Sequence, residues 1–134
     1  MLRQFASKFA PKKLCLIADS SLAIRKAAAS ILSELRFQVT EAASGQEALT
    51  KCRQRRPDAI LLDGALAEAD GFSFLRALMH KTTAGQPKII LCTTDRDPAQ
   101  IARAIGAGAD EYLVKPFDRT ILTAKFEKLG LTAQ

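Results

Sequence analysis

The chain has 134 residues, of which 48% are hydrophobic and 25% are charged, and its formal net charge is +6. This length suffices for one domain with its own hydrophobic core and leaves no room for a second domain of ordinary size. Apolar runs such as residues 59–62 and 89–92 are far shorter than the roughly 20 residues that span a bilayer. The positive charge suits an anionic partner, but the basic residues are dispersed and aromatic residues are few, so the composition does not indicate nucleic-acid binding.

The N-terminus contains basic residues but neither a contiguous apolar stretch nor a small-residue cleavage pattern, so no secretory signal is predicted. Cys15, Cys52 and Cys92 are odd in number and show no C-x-x-C spacing, which favours buried, reduced thiols over disulfides or a metal site. We therefore expect a cytoplasmic protein with an N-terminal extension over residues 1–12 and one folded domain over residues 13–131.

The first half of the chain predicts two strand–helix units, starting with a buried strand at residues 14–18. The segment after it carries apolar residues at helical spacing, namely Ile24, Ala28, Ile31 and Leu35. Residues 37–42 mix apolar and polar side chains, which is typical of a strand at a sheet edge. A Ser44-Gly45 break leads into a second helix over about residues 46–55.

The third strand, at residues 59–62, is uniformly apolar and ends at Asp63. The pattern after Asp63 predicts a loop as far as Gly71. A helix then presents apolar residues on one face, namely Phe72, Leu75 and Met79.

The last third of the chain predicts two further strand–helix units. Residues 89–92 repeat the pattern of a buried strand. Asp97 and Pro98 are typical of an N-cap followed by the first helical position, and this helix should end near residues 106–108. A short strand at residues 111–114 runs into Lys115-Pro116, and a last helix begins near Asp118.

The alternation of five strands with five helices predicts an α/β fold with a parallel sheet, right-handed crossovers and helices on both faces. The three wholly apolar strands belong in its centre, because parallel strands that are covered on both faces are continuously hydrophobic. Ligands of such doubly wound sheets bind outside the carboxyl ends of the strands. The functional residues should therefore be sought at the strand ends.

Four polar residues stand at those ends. Asp19 follows the first strand, Asp63 the third, Thr93 the fourth and Lys115 the fifth. Taken singly, each could cap a helix or begin a turn. At four consecutive sites of one sheet edge, two carboxylates, a hydroxyl and a lysine instead indicate a pocket for phosphate and metal chemistry.

The chain resembles the receiver domains of two-component response regulators, in particular small single-domain CheY-like proteins, from Leu14 to about Leu131. The resemblance rests on the segments LIADSSLAIRK, SGQEAL, PDAILLD, DGFSFLRAL and GADEYLVKPF and on the strand that ends in CTT. The C-terminal segment from CTT onward further resembles the alphaproteobacterial subgroup of chemotaxis-type regulators. The family's fold is flavodoxin-like, so the resemblance implies a five-stranded parallel sheet with the strand order 2-1-3-4-5.

The resemblance also implies a chemistry for the four residues. Asp63 would accept a phosphoryl group from the phosphohistidine of a histidine kinase or phosphotransfer protein, or from a small phosphodonor. Lys115 and the hydroxyl of Thr93 would each hold a phosphoryl oxygen. Mg²⁺ would be bound by Asp19, Asp63 and the backbone carbonyl of Ala65.

The signal would pass through Tyr112, which corresponds to the family's switch aromatic; a half-buried strand tyrosine is the alternative interpretation. The bond between Lys115 and Pro116 is expected to be cis by the same resemblance. Such a domain signals through binding and is not a dedicated enzyme. Ala65 and Asp95 occupy the positions that flank the phosphoryl group in this family.

The chain departs from the family at Ala18, where receivers usually carry the first of two adjacent acids. It also lacks the usual Met-Pro after the phosphoacceptor, since Asp63 is followed by Gly64, Ala65, Leu66 and Ala67. The lost acid motivates an alternative, a pseudo-receiver that binds partners without being phosphorylated. A phosphate-ester hydrolase with an aspartyl nucleophile is disfavoured, because it would need an acid at Ala65.

The resemblance implies an output partner, for which a flagellar motor component and a kinase both stay open; neither a DNA-binding domain nor a membrane is expected to take part. The partner would bind the fourth helix, fifth strand and fifth helix, whose basic residues are Arg96, Arg103, Arg119, Lys125 and Lys128. A solvated face explains any one of these equally well. A second basic cluster, Lys51, Arg53, Arg55 and Arg56, could bind a nucleotide second messenger or an acidic partner, but cations are favourable at a helix C-terminus in any case.

Overall fold

The computed structural model describes residues 12–69, 73–79, 86–94 and 97–132, which contain one five-stranded parallel sheet. Its strands are β1 (Leu14–Ala18), β2 (Gln38–Ala42), β3 (Ala59–Asp63), β4 (Lys88–Thr93) and β5 (Glu111–Val114). Their order is β2-β1-β3-β4-β5. The predicted flavodoxin-like fold is confirmed, with the three apolar strands in the centre and the mixed strand β2 at an edge.

Six helices lie in the described parts of the chain. They are α1 (Leu22–Glu34), α2 (Gly45–Gln54), α3 (Gly64–Ala69), α4 (Ser73–Met79), α5 (Pro98–Gly106) and α6 (Arg119–Lys128). Side-chain oxygens of their N-cap residues accept backbone N–H groups in four of them, at Ser21, Ser44, Asp97 and Asp118. The predicted start of α5 at Asp97 and Pro98 is confirmed.

The prediction for the segment after Asp63 is wrong. The sequence predicts a loop as far as Gly71, but helix α3 begins at Gly64, directly after the strand. Alanine, leucine and glutamate, which dominate this segment, are strong helix formers, and this preference outweighs the glycine at its start. Of the apolar face predicted for the next helix, Leu75 is buried; Phe72 and the side chain of Met79 lie outside the described residues.

The core consists of two layers, one on each face of the sheet. Alternate side chains of β1, β3 and β4 point to opposite faces, so that Leu16 packs in one layer and Ile17 in the other. The first layer is covered by residues of α2, α4 and α5, and the second by residues of α1 and α6. In the second layer the rings of Phe37 and Phe126 meet edge to face, with their centroids 5.2 Å apart. This packing holds the strand ends, and the residues that follow them, in a rigid frame.

All three cysteines are free thiols, and the prediction that they are buried holds for Cys15 and Cys92 but not for Cys52, which is half-buried. Cys15 and Cys92 are buried, and burial raises the pKa of Cys92 to about 12 and that of the half-buried Cys52 to about 11. No helix in the described ranges is both long and apolar enough to cross a membrane. Residues 1–11 lie outside those ranges, so the N-terminal extension stays a prediction.

Candidate functional site

Three of the predicted site residues meet at the carboxyl edge of the sheet. Lys115 Nζ lies 2.6 Å from Asp19 Oδ2 and 2.9 Å from Asp63 Oδ1. The three side chains are buried to about nine-tenths, with 11%, 5% and 11% of the surface exposed for Lys115, Asp19 and Asp63. They follow three different strands, so only the parallel sheet brings them together. Two carboxylates around one ammonium leave a net negative charge at this edge.

The position of Asp19 is defined by its neighbours on β2 and α1. Its backbone N–H donates to the carbonyl of Ala42 at 3.0 Å, which continues the β1–β2 ladder by one residue. Its Oδ1 accepts the backbone N–H of Ser21 at 2.8 Å, and the guanidinium of Arg25 donates to its carbonyl oxygen at 2.6 Å. Arg25 is in turn paired with Glu41 at 3.0 Å. Asp19 therefore presents one oxygen, Oδ2, to Lys115 in a fixed direction.

Thr93 and Ala65 lie on the other side of Asp63. Thr93 ends β4, and its carbonyl oxygen accepts the backbone N–H of Lys115 at 2.8 Å. A Cβ atom placed on Gly64 would lie 3.4 Å from Thr93 Cβ and 3.5 Å from its Oγ1. The threonine side chain thus packs directly against the residue that follows Asp63. These distances are ordinary van der Waals contacts, so a small side chain at position 64 would also fit.

A cavity of about 240 Å³ opens beside Asp63 on this side. It is lined by Asp63, Gly64, Ala65, Leu91, Thr93, Thr94, Gln100 and Ile101. The cavity is large enough for a phosphoryl group together with several water molecules, since each water occupies roughly 30 Å³ in the liquid. Asp63 therefore faces Lys115 on one side and a cavity with both polar and apolar walls on the other.

Lys115 keeps its charge in this setting. Burial, which has the largest effect, lowers the pKa of the ammonium, but the hydrogen bonds and charges of Asp19 and Asp63 together raise the pKa above its ordinary value. Lys115 is thus protonated throughout the physiological pH range. A fixed positive charge at this point can stabilise negative charge on a ligand beside Asp63.

Tyr112 lies half-buried on the edge strand β5 and has a contact that the sequence did not reveal. Lys125 Nζ lies 4.4 Å from the centroid of its ring, in a cation–π contact. The same ammonium is 3.2 Å from Oε1 of Glu111, a buried carboxylate whose Oε2 is 2.7 Å from Lys128 Nζ. Lys125, which was predicted only as part of a basic surface, therefore links β5 to α6 and contacts the ring of Tyr112.

Burial, the largest influence on Glu111, raises its pKa, but the hydrogen bonds from Lys128, from the backbone N–H of Tyr112 and from Lys125 outweigh burial and lower the pKa. Side chains of β5 alternate between its two faces, so Glu111 lies on the same face as the buried Leu113. This spacing of two residues indicates in the sequence that Glu111 faces inward. Its lysine partners could not be identified without knowing how α6 packs.

Three other basic residues named in the sequence analysis make contacts that hold the fold together. Lys51 donates to the carbonyl oxygen of Glu41, and Arg55 donates to Oε1 of Gln38 at 2.7 Å, so both residues tie α2 to the edge strand. Arg119 pairs with Glu34 of α1. Asp95 and Arg96 lie outside the described residues. The Lys115–Pro116 bond is cis, as expected.

The oxygen donors at the site suit a hard cation such as Mg²⁺. The carboxylates of Asp19 and Asp63 both contact Lys115, and Ala65 lines the same cavity as Asp63. Mg²⁺ is usually bound through one or two carboxylates and keeps several waters, so a two-carboxylate site is sufficient. In the described parts of the chain no cluster of three acidic, cysteine or histidine side chains forms a more complete metal site.

Comparison with known proteins places this geometry in a family. The model of the response regulator receiver domain matches residues 15–127. The transcriptional regulatory protein AfsQ1 of Streptomyces coelicolor is 38% identical over 112 residues, which are 84% of this chain and 48% of that protein. The chemotaxis protein CheY of Listeria monocytogenes is 32% identical over 114 residues, which are 84% of this chain and 94% of CheY.

A solved receiver domain has a similar fold. The receiver domain of a sensor histidine kinase from Pseudomonas aeruginosa, which holds a magnesium ion in its active-site cleft, matches with a TM-score of 0.76 at 26% identity, over 88% of this chain and 97% of that one. The chain spans about half the length of a relative such as AfsQ1 (48%) and nearly all of CheY. The fold, the site and these matches together show that the chain belongs to the response regulator receiver domain family of two-component systems.

Proposed function

We propose that Asp63 is a phosphoacceptor and that its phosphorylation changes which protein the domain binds. The donor would be the phosphohistidine of a histidine kinase or phosphotransfer protein, or a small phosphodonor. The observation that supports this most is the position of Asp63, which lies 2.9 Å from the ammonium of Lys115 and also lines a cavity with room for a phosphoryl group. Such charge neutralisation is what phosphoryl transfer chiefly requires.

In the transfer an Asp63 oxygen forms a bond to phosphorus while the bond from phosphorus to the donor nitrogen breaks. The nitrogen keeps the electron pair of the broken bond, and Asp63 becomes an acyl phosphate. Lys115 would then donate a hydrogen bond to one phosphoryl oxygen and the Thr93 hydroxyl to another. Since Lys115 already holds Asp63, it needs only a small movement to do so.

Mg²⁺ is the cofactor that we propose for this step, held by Asp19, Asp63 and the backbone carbonyl of Ala65. When bound, it supplies positive charge to the phosphoryl oxygens that Lys115 does not reach. Asp19 is suited to this role because Ser21 and Arg25 fix its orientation. The ammonium of Lys115 and the metal would share the two carboxylates.

The output would be a shift between two states that differ in partner affinity. Thr93 packs against Gly64 beside Asp63, and the backbone of Lys115 joins β5 to Thr93, so a change at the phosphoacceptor can reach Tyr112 on β5. Lys125 and Glu111 link Tyr112 to α6. We propose the face formed by α5, β5 and α6 as the surface that the output partner, a motor component or a kinase, recognises.

The proposal is tested by incubating the protein with acetyl phosphate and Mg²⁺ and measuring its intact mass. The native protein should gain one phosphoryl group, Asp63→Asn should gain none, and Asp97→Asn, which keeps an N-cap residue of equal quality, should behave like the native protein. If Asp63→Asn gains a phosphoryl group, or if the native protein gains none at high millimolar Mg²⁺, Asp63 is not the phosphoacceptor.

The pseudo-receiver remains a second candidate because Ala18 replaces an acid and Lys115 already pairs with both remaining carboxylates. It predicts a partner that binds native, Asp63→Asn and beryllofluoride-treated protein with equal affinity. Titration calorimetry with one partner distinguishes the two candidates, since the phosphorylation switch requires that beryllofluoride change the affinity.

A further inference from the structure

The end of strand β2 is connected to Asp19 in two ways, one direct and one through α1. The direct connection is the hydrogen bond from the backbone N–H of Asp19 to the carbonyl of Ala42, at 3.0 Å. The second begins at Glu41, the residue before Ala42, which pairs with Arg25 of α1. Arg25 in turn donates to the carbonyl oxygen of Asp19. The last two residues of β2 thus both act on the residue that we propose as a metal ligand.

The guanidinium of Arg25 joins two acceptors through two different nitrogens. Its Nη1 donates to the carbonyl oxygen of Asp19 at 2.6 Å, and its Nε donates to Oε1 of Glu41 at 3.0 Å. Because the guanidinium is planar and rigid, its orientation towards one acceptor fixes its orientation towards the other. Only 14% of the Arg25 side chain and 24% of the Glu41 side chain are exposed, so solvent screens this pair less than an open surface pair.

Lys26 offers a comparison, because it pairs with the other oxygen of the same carboxylate. Its Nζ lies 2.9 Å from Oε2 of Glu41, but 65% of its side chain is exposed. The hydrogen bond from Lys26 lowers the pKa of Glu41 against the effect of burial, and Arg25 lowers it further, so the carboxylate is charged at neutral pH. Arg25 and Lys26 therefore share one anion, and Arg25 connects it to Asp19.

We infer that Glu41 is a positioning residue for Mg²⁺ binding, which acts through Arg25 on Asp19, and this inference rests on the metal site proposed above. Without Glu41 the guanidinium is free to turn, and the carbonyl oxygen of Asp19 loses a donor of fixed direction. The carboxylate of the same residue then varies more in position and binds the ion less tightly. Groups that orient metal ligands typically contribute about 10- to 100-fold to the affinity for the metal. A tie that merely joins β2 to α1 would affect the stability of the fold and leave this affinity unchanged.

The test measures the affinity for Mg²⁺ without any phosphodonor, by following backbone amide resonances in an NMR titration. The N–H of Ser21, which donates to Oδ1 of Asp19, reports directly on the carboxylate. Glu41→Met removes the charge and the acceptor and should weaken Mg²⁺ binding about tenfold, the lower end of the range for groups that orient metal ligands. Glu41→Gln removes the same charge but keeps an oxygen that can accept from Arg25, so its affinity should stay within about threefold of native.

Two further comparisons show whether the effect passes through Arg25. Lys26→Met removes the exposed partner of Glu41 and should leave the affinity within about twofold of native. When Arg25→Met is combined with Glu41→Gln or with Glu41→Met, the two double variants should bind Mg²⁺ equally well, because the acceptor at position 41 no longer has a guanidinium to orient. If Glu41→Met does not fold, Glu41→Val, which suits a strand and also lacks an acceptor, takes its place.

The outcomes separate this inference from the proposed metal site. If the native protein shows no Mg²⁺-dependent shifts at high millimolar concentration, the metal site is wrong and the inference fails with it. If the native protein binds Mg²⁺ and Glu41→Met binds it equally well, only the inference is wrong. Equal weakening in Glu41→Gln and Glu41→Met would also contradict it, since both variants lose the same charge and the effect would then act through space. A difference between Gln and Met at position 41 that persists beside Arg25→Met would exclude Arg25 as the connection.

Discussion

Two charged clusters in this protein have opposite arrangements. At the sheet edge one cation, Lys115, lies between two carboxylates, and on β5 one carboxylate, Glu111, lies between two lysines. The first cluster carries a net negative charge beside a cavity, and the second a net positive charge beside Tyr112. The first is thus suited to the metal and the phosphoryl group that we propose for it, and the second connects Tyr112 and β5 to α6.

The clusters also differ in how far apart their members lie in the chain. Lys115 is 96 residues from Asp19 and 52 from Asp63, whereas Lys125 is 14 residues from Glu111. The sheet-edge cluster can form only when four strands (β1, β3, β4 and β5) are paired, whereas the other needs only β5 and the helix that follows it. Changes at the sheet edge should therefore have larger consequences, and the predictions below are arranged accordingly.

The largest effect is expected from Lys115→Met. It leaves two buried carboxylates facing each other without a cation, and the free energy of unfolding at pH 7 should fall by about 2 to 4 kcal/mol. Asp63→Asn leaves one carboxylate with one ammonium and should cost much less. Urea unfolding of both variants, with Lys88→Met at an exposed position of β4 as control, measures the difference. If Asp63→Asn were the more destabilising change, the assignment of Lys115 as the central cation would be wrong.

The second effect concerns the acid that this chain lacks. Ala18→Asp should tighten Mg²⁺ binding about 10- to 100-fold, because groups that act through metal-bound water contribute at this level. Asp19→Ala should abolish binding. Titration calorimetry of Mg²⁺ in the absence of any phosphodonor provides the readout. Failure of native protein and Ala18→Asp alike to bind Mg²⁺ at high millimolar concentration would favour the pseudo-receiver.

A third change adds a polar group to the cavity at Ala65. Ala65→Asn places an amide two residues after Asp63, where it can orient a water, and the loss of the phosphoryl group that we propose for Asp63 should become about three- to tenfold faster. The decay of intact mass after removal of acetyl phosphate measures this rate. Ala124→Asn, exposed on α6, is the control. An unchanged or slower decay in Ala65→Asn would count against a role for this position.

The smallest effect is expected at the second cluster and depends on pH. The pKa of Glu111 is lower in the folded than in the unfolded chain, so its contribution is complete above the ordinary value of about 4.3 and is lost as the pH falls through the folded value. Glu111→Gln should lower the free energy of unfolding by about 0.5 to 1.5 kcal/mol at pH 7 and have little effect at low pH.

Lys125→Met should reproduce part of this loss, whereas Lys128→Met should cause no measurable change, because 69% of the Lys128 side chain is exposed and solvent screens its ion pair. Chemical denaturation at neutral and acidic pH tests both statements. Equal losses for the two lysine variants would show that the contact of Lys125 with Tyr112 adds nothing.

Much of the fold was predictable because each strand carries its own local signal. The apolar runs at residues 14–18 and 59–62 predicted central strands, and the mixed pattern of residues 37–42 predicted an edge; all three predictions are confirmed. The error after Asp63 has a local cause as well. The segment combines strong helix formers with glycines at both ends. The glycines favour a loop, but the helix propensity of the residues between them is the stronger effect.

The sequence by itself determined the kinds of residue at the strand ends, and parallel pairing then required Asp19, Asp63 and Lys115 to share one edge. Tertiary structure decided everything that depends on distance between side chains. Whether Lys115 contacts both carboxylates depends on the spacing of the paired strands, and which lysine covers Tyr112 depends on how α6 packs against the sheet. Hydrophobic periodicity indicates which face of a helix is buried, but hydrogen bonds and ion pairs form over about 3 Å, and only the packed core defines positions at that scale.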